Sequence, residues 1–339
     1  MAANQALAAT HHLRQRGLSV ALLEAGREPI GSWPQYYDSL TLFAPAKYNS
    51  LPGLPFPGDP DRDDVIDCLR QYAKTLDADL QTGQHVDTVT HDGQLFTGHT
   101  NTGTAFTAPR LVAATGGFGS PNIPALPGQD SFTGTIVHAS QYRSPAEYTG
   151  QRVIVVGAGN SAVQIAAELA EQATVTLASR TPVKFVPQRP LGRDMHFWFI
   201  TITGIDTLPV GHLLRHPPTA PVLDTGRYQS ALTAHQPEPR PMFATLDTDT
   251  AIWPDDNNIE VDTIILATGY TPNLHYLSGI GALTTSGQPL HNKGLSTTHH
   301  GLGYVGLEWQ RSLPSGSLRG VGRDARRVAA NLQNLTVAS

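Results

Sequence analysis

Residues 152–180 read RVIVVGAGNSAVQIAAELAEQATVTLASR, and this stretch decides the fold. Val153, Ile154, Val155 and Val156 form an unbroken β-branched run, which predicts a strand buried on both faces. An alanine-rich helical segment follows, and a second apolar run, TVTLASR, restarts the strand pattern. Between strand and helix, Gly157, Gly159 and Ala162 stand at the G-x-G-x-x-A spacing of a dinucleotide fingerprint. Gly157 permits the tight turn, Gly159 lets a pyrophosphate approach the backbone, and Ala162 lets helix and strand pack closely. The diphosphate then sits at the helix N-terminus, beside Asn160 and Ser161, where amides and dipole favour negative charge. At the end of the second strand, Ser179 and Arg180 stand where an NAD-preferring domain places a carboxylate. A 2′-phosphate is accommodated there, so NADP is the expected cofactor of this unit.

Working outward, an earlier unit shows the opposite choice. Residues 3–16 predict a helix and 18–24 a buried strand ending in Glu24, whose carboxylate can accept both ribose hydroxyls of an adenosine. The loop 31–60, rich in Gly, Pro and aromatics, has the length of a binding loop. Residues 61–76 read as an amphipathic helix, 84–109 as short strands, and PRLVAATGG (109–117) as a strand ending in glycines. Residues 117–151 carry proline punctuation and read as a connection between domains, while 181–245 are dense in Pro and His and poorly periodic. VDTIILATGY (261–270) is a further buried strand, and a helix over roughly 322–334 closes the chain. Two α/β units separated by proline-rich crossings predict two nucleotide-binding domains, the second inserted in the first.

Composition narrows the function. The 339 residues are 40% hydrophobic and 15% charged with a net charge of −5, which suits a globular enzyme and gives no electrostatic footprint for nucleic acid or anionic membrane. Cys68 is the single cysteine, so an intrachain disulfide, a CxxC redox pair and a cysteine-rich zinc site are excluded. It falls in the helical pattern of 61–76 and reads as a structural thiol, consistent with a reducing cytoplasm. The N-terminus lacks the pattern of a signal peptide, and FWFITITGI (197–205) is too short for a membrane span. His11-His12 and His299-His300 are adjacent pairs that share no face, so no metal is expected.

The residues FTGTIVHASQYR (132–143) match the pattern F-x-G-x-x-x-H-x-x-x-Y-[KR], and the chain here resembles the flavin-containing monooxygenases. LATGY (266–270), AATGG (113–117), GSW (31–33) and GAGNSA (157–162) are similar to further signatures of that family, in its order. The resemblance implies an α/β fold of two Rossmann-like domains: an FAD-type domain from 1–143 and 262–339, and an NADP domain at 144–261. It implies FAD held by Glu24, Ser32, Trp33 and Thr115, and NADP held by Gly157, Gly159, Asn160, Ser161 and Arg180. It also implies a cytoplasmic NADPH-dependent monooxygenase in which a C4a-hydroperoxyflavin oxygenates a soft nucleophile such as an amine or sulfide. The expected partners are a small-molecule substrate and O2, with a homodimer as an assembly compatible with the family. His138 and Tyr142 are the candidate catalytic residues, positioning the nicotinamide half or serving as a structural hinge pair; Gln141 is a further candidate cofactor contact. A flavin-free NADP-binding remnant and an NADPH-dependent flavin reductase or oxidase are the alternatives.

Two departures stand out. The asparagine that N-oxidising members carry in the loop before LPGLPF (51–56) is replaced, in an ungapped comparison, by Phe43, with Asn49 the nearest asparagine. At the start, Met1, Ala3 and Ala6 fall where the first fingerprint has glycines. This predicts an FAD domain without its first strand, through a displaced start or through decay.

Overall fold

The computed structural model describes residues 2–56, 61–213 and 221–334. The chain opens with α1 (Ala2–Arg14), whose Leu7 and Ala8 are fully buried, and continues into β1 (Ala21–Glu24). The expected strand over 18–24 is thus shortened to its last four residues. After the long loop comes α2 (Arg62–Thr75), capped by Asp61, whose carboxylate accepts the Asp64 N–H at 2.8 Å. Its apolar stripe, Val65, Ile66, Leu69, Tyr72 and Ala73, is buried together with Cys68, whose thiol burial pushes up to about 11. Next comes β2 (Asp79–Thr82), parallel to β1. A meander of β3 (Val86–His91), β4 (Phe96–Thr100) and β5 (Ala105–Ala108) leads to β6 (Leu111–Ala113).

The second half supplies β7 (Thr135–His138), β8 (Arg152–Val156), α3 (Asn160–Leu169), β9 (Thr174–Ser179), α4 (Arg227–Thr233), β10 (Glu238–Pro241), β11 (Thr263–Leu266), β12 (Leu302–Tyr304) and α5 (Leu318–Gln333). Five of these strands form one parallel sheet in the order β10-β9-β8-β11-β7. Side chains alternate across it as a strand requires. Val153 and Val155 pack with α3, while Ile154 and Val156 pack with Leu246, Ala251 and Trp253 on the other face. Both faces are covered, so the four-residue apolar run of β8 has no solvent side.

This sheet draws the domain boundaries differently from 143/144 and 261/262. Thr135–His138, expected to be connection, and Thr263–Leu266, assigned to the outer domain, are neighbouring parallel strands of the central sheet. Ladder pairing decides membership, and a strand this short carries no periodicity that reveals its partner. The closing helix also starts earlier than expected, at Leu318.

The other domain is built around α1, α2 and α5, which share one core with Leu22, Trp33 and Val305. Its parallel strands come as two pairs, β1 with β2 and β6 with β12. Among the described residues, no strand hydrogen-bonds to both pairs. No helix among them is long and apolar enough to cross a membrane.

Candidate functional site

At the carboxyl end of β8 the backbone turns at Gly157, with φ at 150° and its N–H donating to the Ala178 carbonyl at 2.9 Å. A Cβ there would stand 2.5 Å from the Ala267 carbonyl oxygen and 3.0 Å from the Ala162 Cβ. The first glycine is therefore demanded by conformation and packing. Gly159 differs: its backbone is extended and a Cβ would meet nothing within 4 Å, so its missing side chain leaves an open approach. It caps α3, whose first turn holds no acidic residue to offset the helix dipole. Ala162 is fully buried, and the Asn160 carboxamide oxygen is buried without a partner. Ser161 lies beside the Tyr37 hydroxyl. Arg180 is exposed at the end of β9, and no acidic side chain pairs with it among the described residues. Backbone donors, a helix terminus and a free guanidinium fit NADP at this edge.

The second crevice lies at the carboxyl ends of β1, β6 and β12. Glu24 ends β1 and accepts the Gly26 N–H at 2.8 Å, and burial pushes its carboxyl above the usual range. Trp33 is almost fully buried, with its indole N–H unpartnered and its ring edge-on to Tyr36. Ser32, just before it, meets the Tyr36 hydroxyl. Thr115, past the end of β6, donates to the Asn273 carbonyl at 3.1 Å and so is tied to the protein itself. Gly116 and Gly306, both at positive φ, flank the Gln5 side chain, and the Gly117 N–H donates to the Gly306 carbonyl at 3.0 Å. The carboxamides of Asn4 and Gln5, in the first turn of α1, are fully buried and wholly unpartnered. Orphaned donors at a helix N-terminus, facing side-chain-free turns, fit the diphosphate of FAD.

The structure brings Glu24, Ser32 and Trp33 to this crevice and Gly157 to Arg180 to the other. It places His138 and Tyr142 elsewhere. His138 Nε2 donates to the Gly269 carbonyl at 3.0 Å, and Nδ1 accepts the Ser140 N–H at 3.0 Å. Nε2 thereby ties the end of β7 to the turn after β11, Nδ1 is spent locally on Ser140, and burial lowers the ring's pKa. Gln141 is exposed, and its carboxamide oxygen accepts the His138 backbone N–H at 3.1 Å. Tyr142 is fully buried between the rings of Tyr37 and Tyr148, with its hydroxyl pushed far up by burial. His138 and Tyr142 are buried in the packing beside the central sheet.

Sequence reasoning missed the seam around them. Tyr37 and Ser39 donate to Gln164 and Glu168 on α3, and Arg143 donates to the carbonyls of Pro34 and Tyr36, each at 2.7 Å. The loop that carries Ser32 and Trp33 is thereby strapped to the NADP-side helix. Asn49 is buried and spends its amide on the Ala44 carbonyl at 2.8 Å, which shapes its own loop. Among the described residues, no group of three or more His, Cys, Asp or Glu side chains could hold a metal.

Residues 6–191 match the family model described as pyridine nucleotide-disulphide oxidoreductase. The oxidoreductase CzcO of Bacillus velezensis is 30% identical over 336 residues, covering 95% of this chain and 94% of that protein. Indole-3-pyruvate monooxygenase YUCCA1 of rice is 28% identical over 318 residues, covering 82% of this chain and 78% of its own. A solved structure, the flavin-containing monooxygenase of Stenotrophomonas maltophilia, superposes with a TM-score of 0.84 at 27% identity, covering 96% of this chain and 94% of that one. The chain belongs to the pyridine nucleotide-disulphide oxidoreductase family and, within it, to the flavin-dependent monooxygenases, which work with FAD and NADP(H).

Proposed function

We propose that this enzyme oxygenates the nitrogen or sulfur of a small nucleophile in the cytoplasm, at the expense of NADPH and O2. One observation carries the reading: a chain of this family with a single cysteine, buried in α2 and holding its proton to about 11, has no dithiol to pass electrons to a disulfide. Electrons from NADPH then have O2 as their outlet. FAD, when bound, supplies the reduction by NADPH and the reaction with O2. The chain's own residues bind and orient. The amides at the start of α3 hold the NADP diphosphate, and Arg180 pairs with the 2′-phosphate. Glu24 takes the adenosine ribose of FAD, while Asn4, Gln5 and the Trp33 N–H offer it donors. The seam of Tyr37, Tyr142 and Tyr148 keeps water from the junction between the two crevices.

The test is flavin absorbance after incubation with FAD, followed by NADPH oxidation under labelled dioxygen with a thioether and an amine. Label in an oxygenated product supports the reading. NADPH consumption that yields hydrogen peroxide alone with every nucleophile overturns it in favour of an oxidase. Arg180→Ser is expected to raise the KM for NADPH roughly 10- to 100-fold, the worth of a charge-assisted hydrogen bond of about 1.5–3 kcal/mol. The KM for NADH should barely move, and an equal change for both nucleotides removes Arg180 from the 2′-phosphate.

A further inference from the structure

Between Pro190 and Leu213 the chain turns large apolar side chains outward. Ile202, Ile205, Leu208, Val210 and Leu213 are 38% to 69% exposed, and Leu191 is 89% exposed. Nine large apolar side chains are exposed among the described residues, and these are six of them. A protein surface in water scatters such residues singly, and a cluster marks a contact site.

An inward set of groups holds the outward one in place. Asp206 is buried against Arg319 at 2.6 Å, and the Thr207 carbonyl accepts the Arg311 guanidinium at 3.4 Å. The Gly211 N–H donates to the Arg311 carbonyl at 2.8 Å, and a Cβ at Gly211 would overlap the Trp309 carbonyl. These anchors fix the underside, which leaves Ile205, Leu208, Val210 and Leu213 on the outside. Upstream, the Trp198 indole N–H donates to the Pro190 carbonyl at 3.1 Å and ties Leu191 to a π-helical turn, Phe197–Ile202. Leu191 has φ at 52°, a strained conformation for a residue with a side chain. The strain sits on the most exposed leucine of the patch.

The free charges beside the patch are basic. Arg189 and Arg193 flank Leu191 and are exposed, and the Arg193 guanidinium lies 4.5 Å from the Phe197 ring centre. Lys47 is exposed over the ring of Tyr48, which lies against His196. No carboxylate pairs with these three cations among the described residues. The two acids of the stretch, Asp194 and Asp206, turn inward to His196 and Arg319. A chain of net charge −5 therefore carries a local patch of the opposite sign, which composition alone conceals.

We propose that this surface seats the protein on an anionic lipid bilayer, its apolar side chains in the headgroup boundary and its cations among the lipid phosphates. Apolar and aromatic side chains rimmed by Lys and Arg are the pattern of a segment that lies on a membrane without crossing it. Charge decides the occupant. A second copy docked by two-fold symmetry would set Arg189 and Arg193 against the same cations of its partner. An anionic leaflet offers phosphates to all of them.

The experiment is sedimentation of the FAD-incubated full chain with vesicles of phosphatidylcholine, alone or in equal mixture with phosphatidylglycerol. Wild type should bind the mixed vesicles at least tenfold more tightly than the neutral ones, and salt should weaken that binding. Ile202→Ser with Leu208→Ser should cut the affinity for mixed vesicles roughly tenfold, through lost apolar burial. Arg189→Gln with Arg193→Gln should cost about fivefold per arginine on mixed vesicles and almost nothing on neutral ones. All four positions are exposed, and circular dichroism checks that each variant folds as wild type does. Wild type left in the supernatant, equal binding to both vesicle types, or variants that bind like wild type each overturn the proposal. A wild type that ignores vesicles but forms a dimer, which Ile202→Ser with Leu208→Ser dissociates, overturns it in favour of an interface between copies.

Discussion

Alanine at Gly157 should cut NADPH-driven flavin reduction by 100-fold or more while leaving FAD bound. The added methyl would stand 2.5 Å from the Ala267 carbonyl, which is backbone at the end of β11. Neither element can yield, because β8 and β11 are hydrogen-bonded in register, with Val156 opposite Leu266. The φ of 150° adds strain of about 1–3 kcal/mol for a residue with a side chain. Overpacking costs a similar amount, so the turn rearranges and the diphosphate loses its amides. Titration of NADP+ by calorimetry, beside the flavin content of the same sample, checks this. Gly159→Ala is the informative contrast. With open space around it, that change should cost under about 1 kcal/mol in stability and still block NADP from the helix terminus.

The second large effect concerns Arg311, which should destabilise the protein by about 3–5 kcal/mol when replaced by methionine. Its Nε lies 2.7 Å from Asp324 Oδ1 on α5, and that carboxylate is 1% exposed with its other oxygen unpartnered. Removing the guanidinium strands a charge in the core. It also frees the Thr207 carbonyl, which Arg311 reaches from below, and loosens the segment that carries His196. Urea denaturation of Arg311→Met and of Arg311→Met with Asp324→Leu separates the causes. The double variant should recover most of the loss, because a buried ion pair is worth little against apolar packing of similar volume. A double variant as unstable as the single one would place the cost in lost packing instead.

What the sequence by itself determined is what short-range chemistry encodes. The run from Val153 to Arg180 holds strand, turn, helix and strand within one span, and each residue type states its own geometric reason. Glu24 was legible in the same way as a strand-end carboxylate, and Trp33 as an aromatic of the following loop, where it is buried. Only the tertiary structure decided the rest. Thr135–His138 becomes a strand because Thr263–Leu266 lies beside it, and no local pattern announces a partner so distant in sequence. His138 reads as chemistry in a motif until the Gly269 carbonyl and the Ser140 N–H consume both its nitrogens. Asp194 and His196 sit in a stretch without periodicity, where proximity in the chain means little until Tyr48, Asp206 and Arg319 close around them. Hydrogen bonds and ion pairs acquire their strength from burial, and burial is a property of the folded chain.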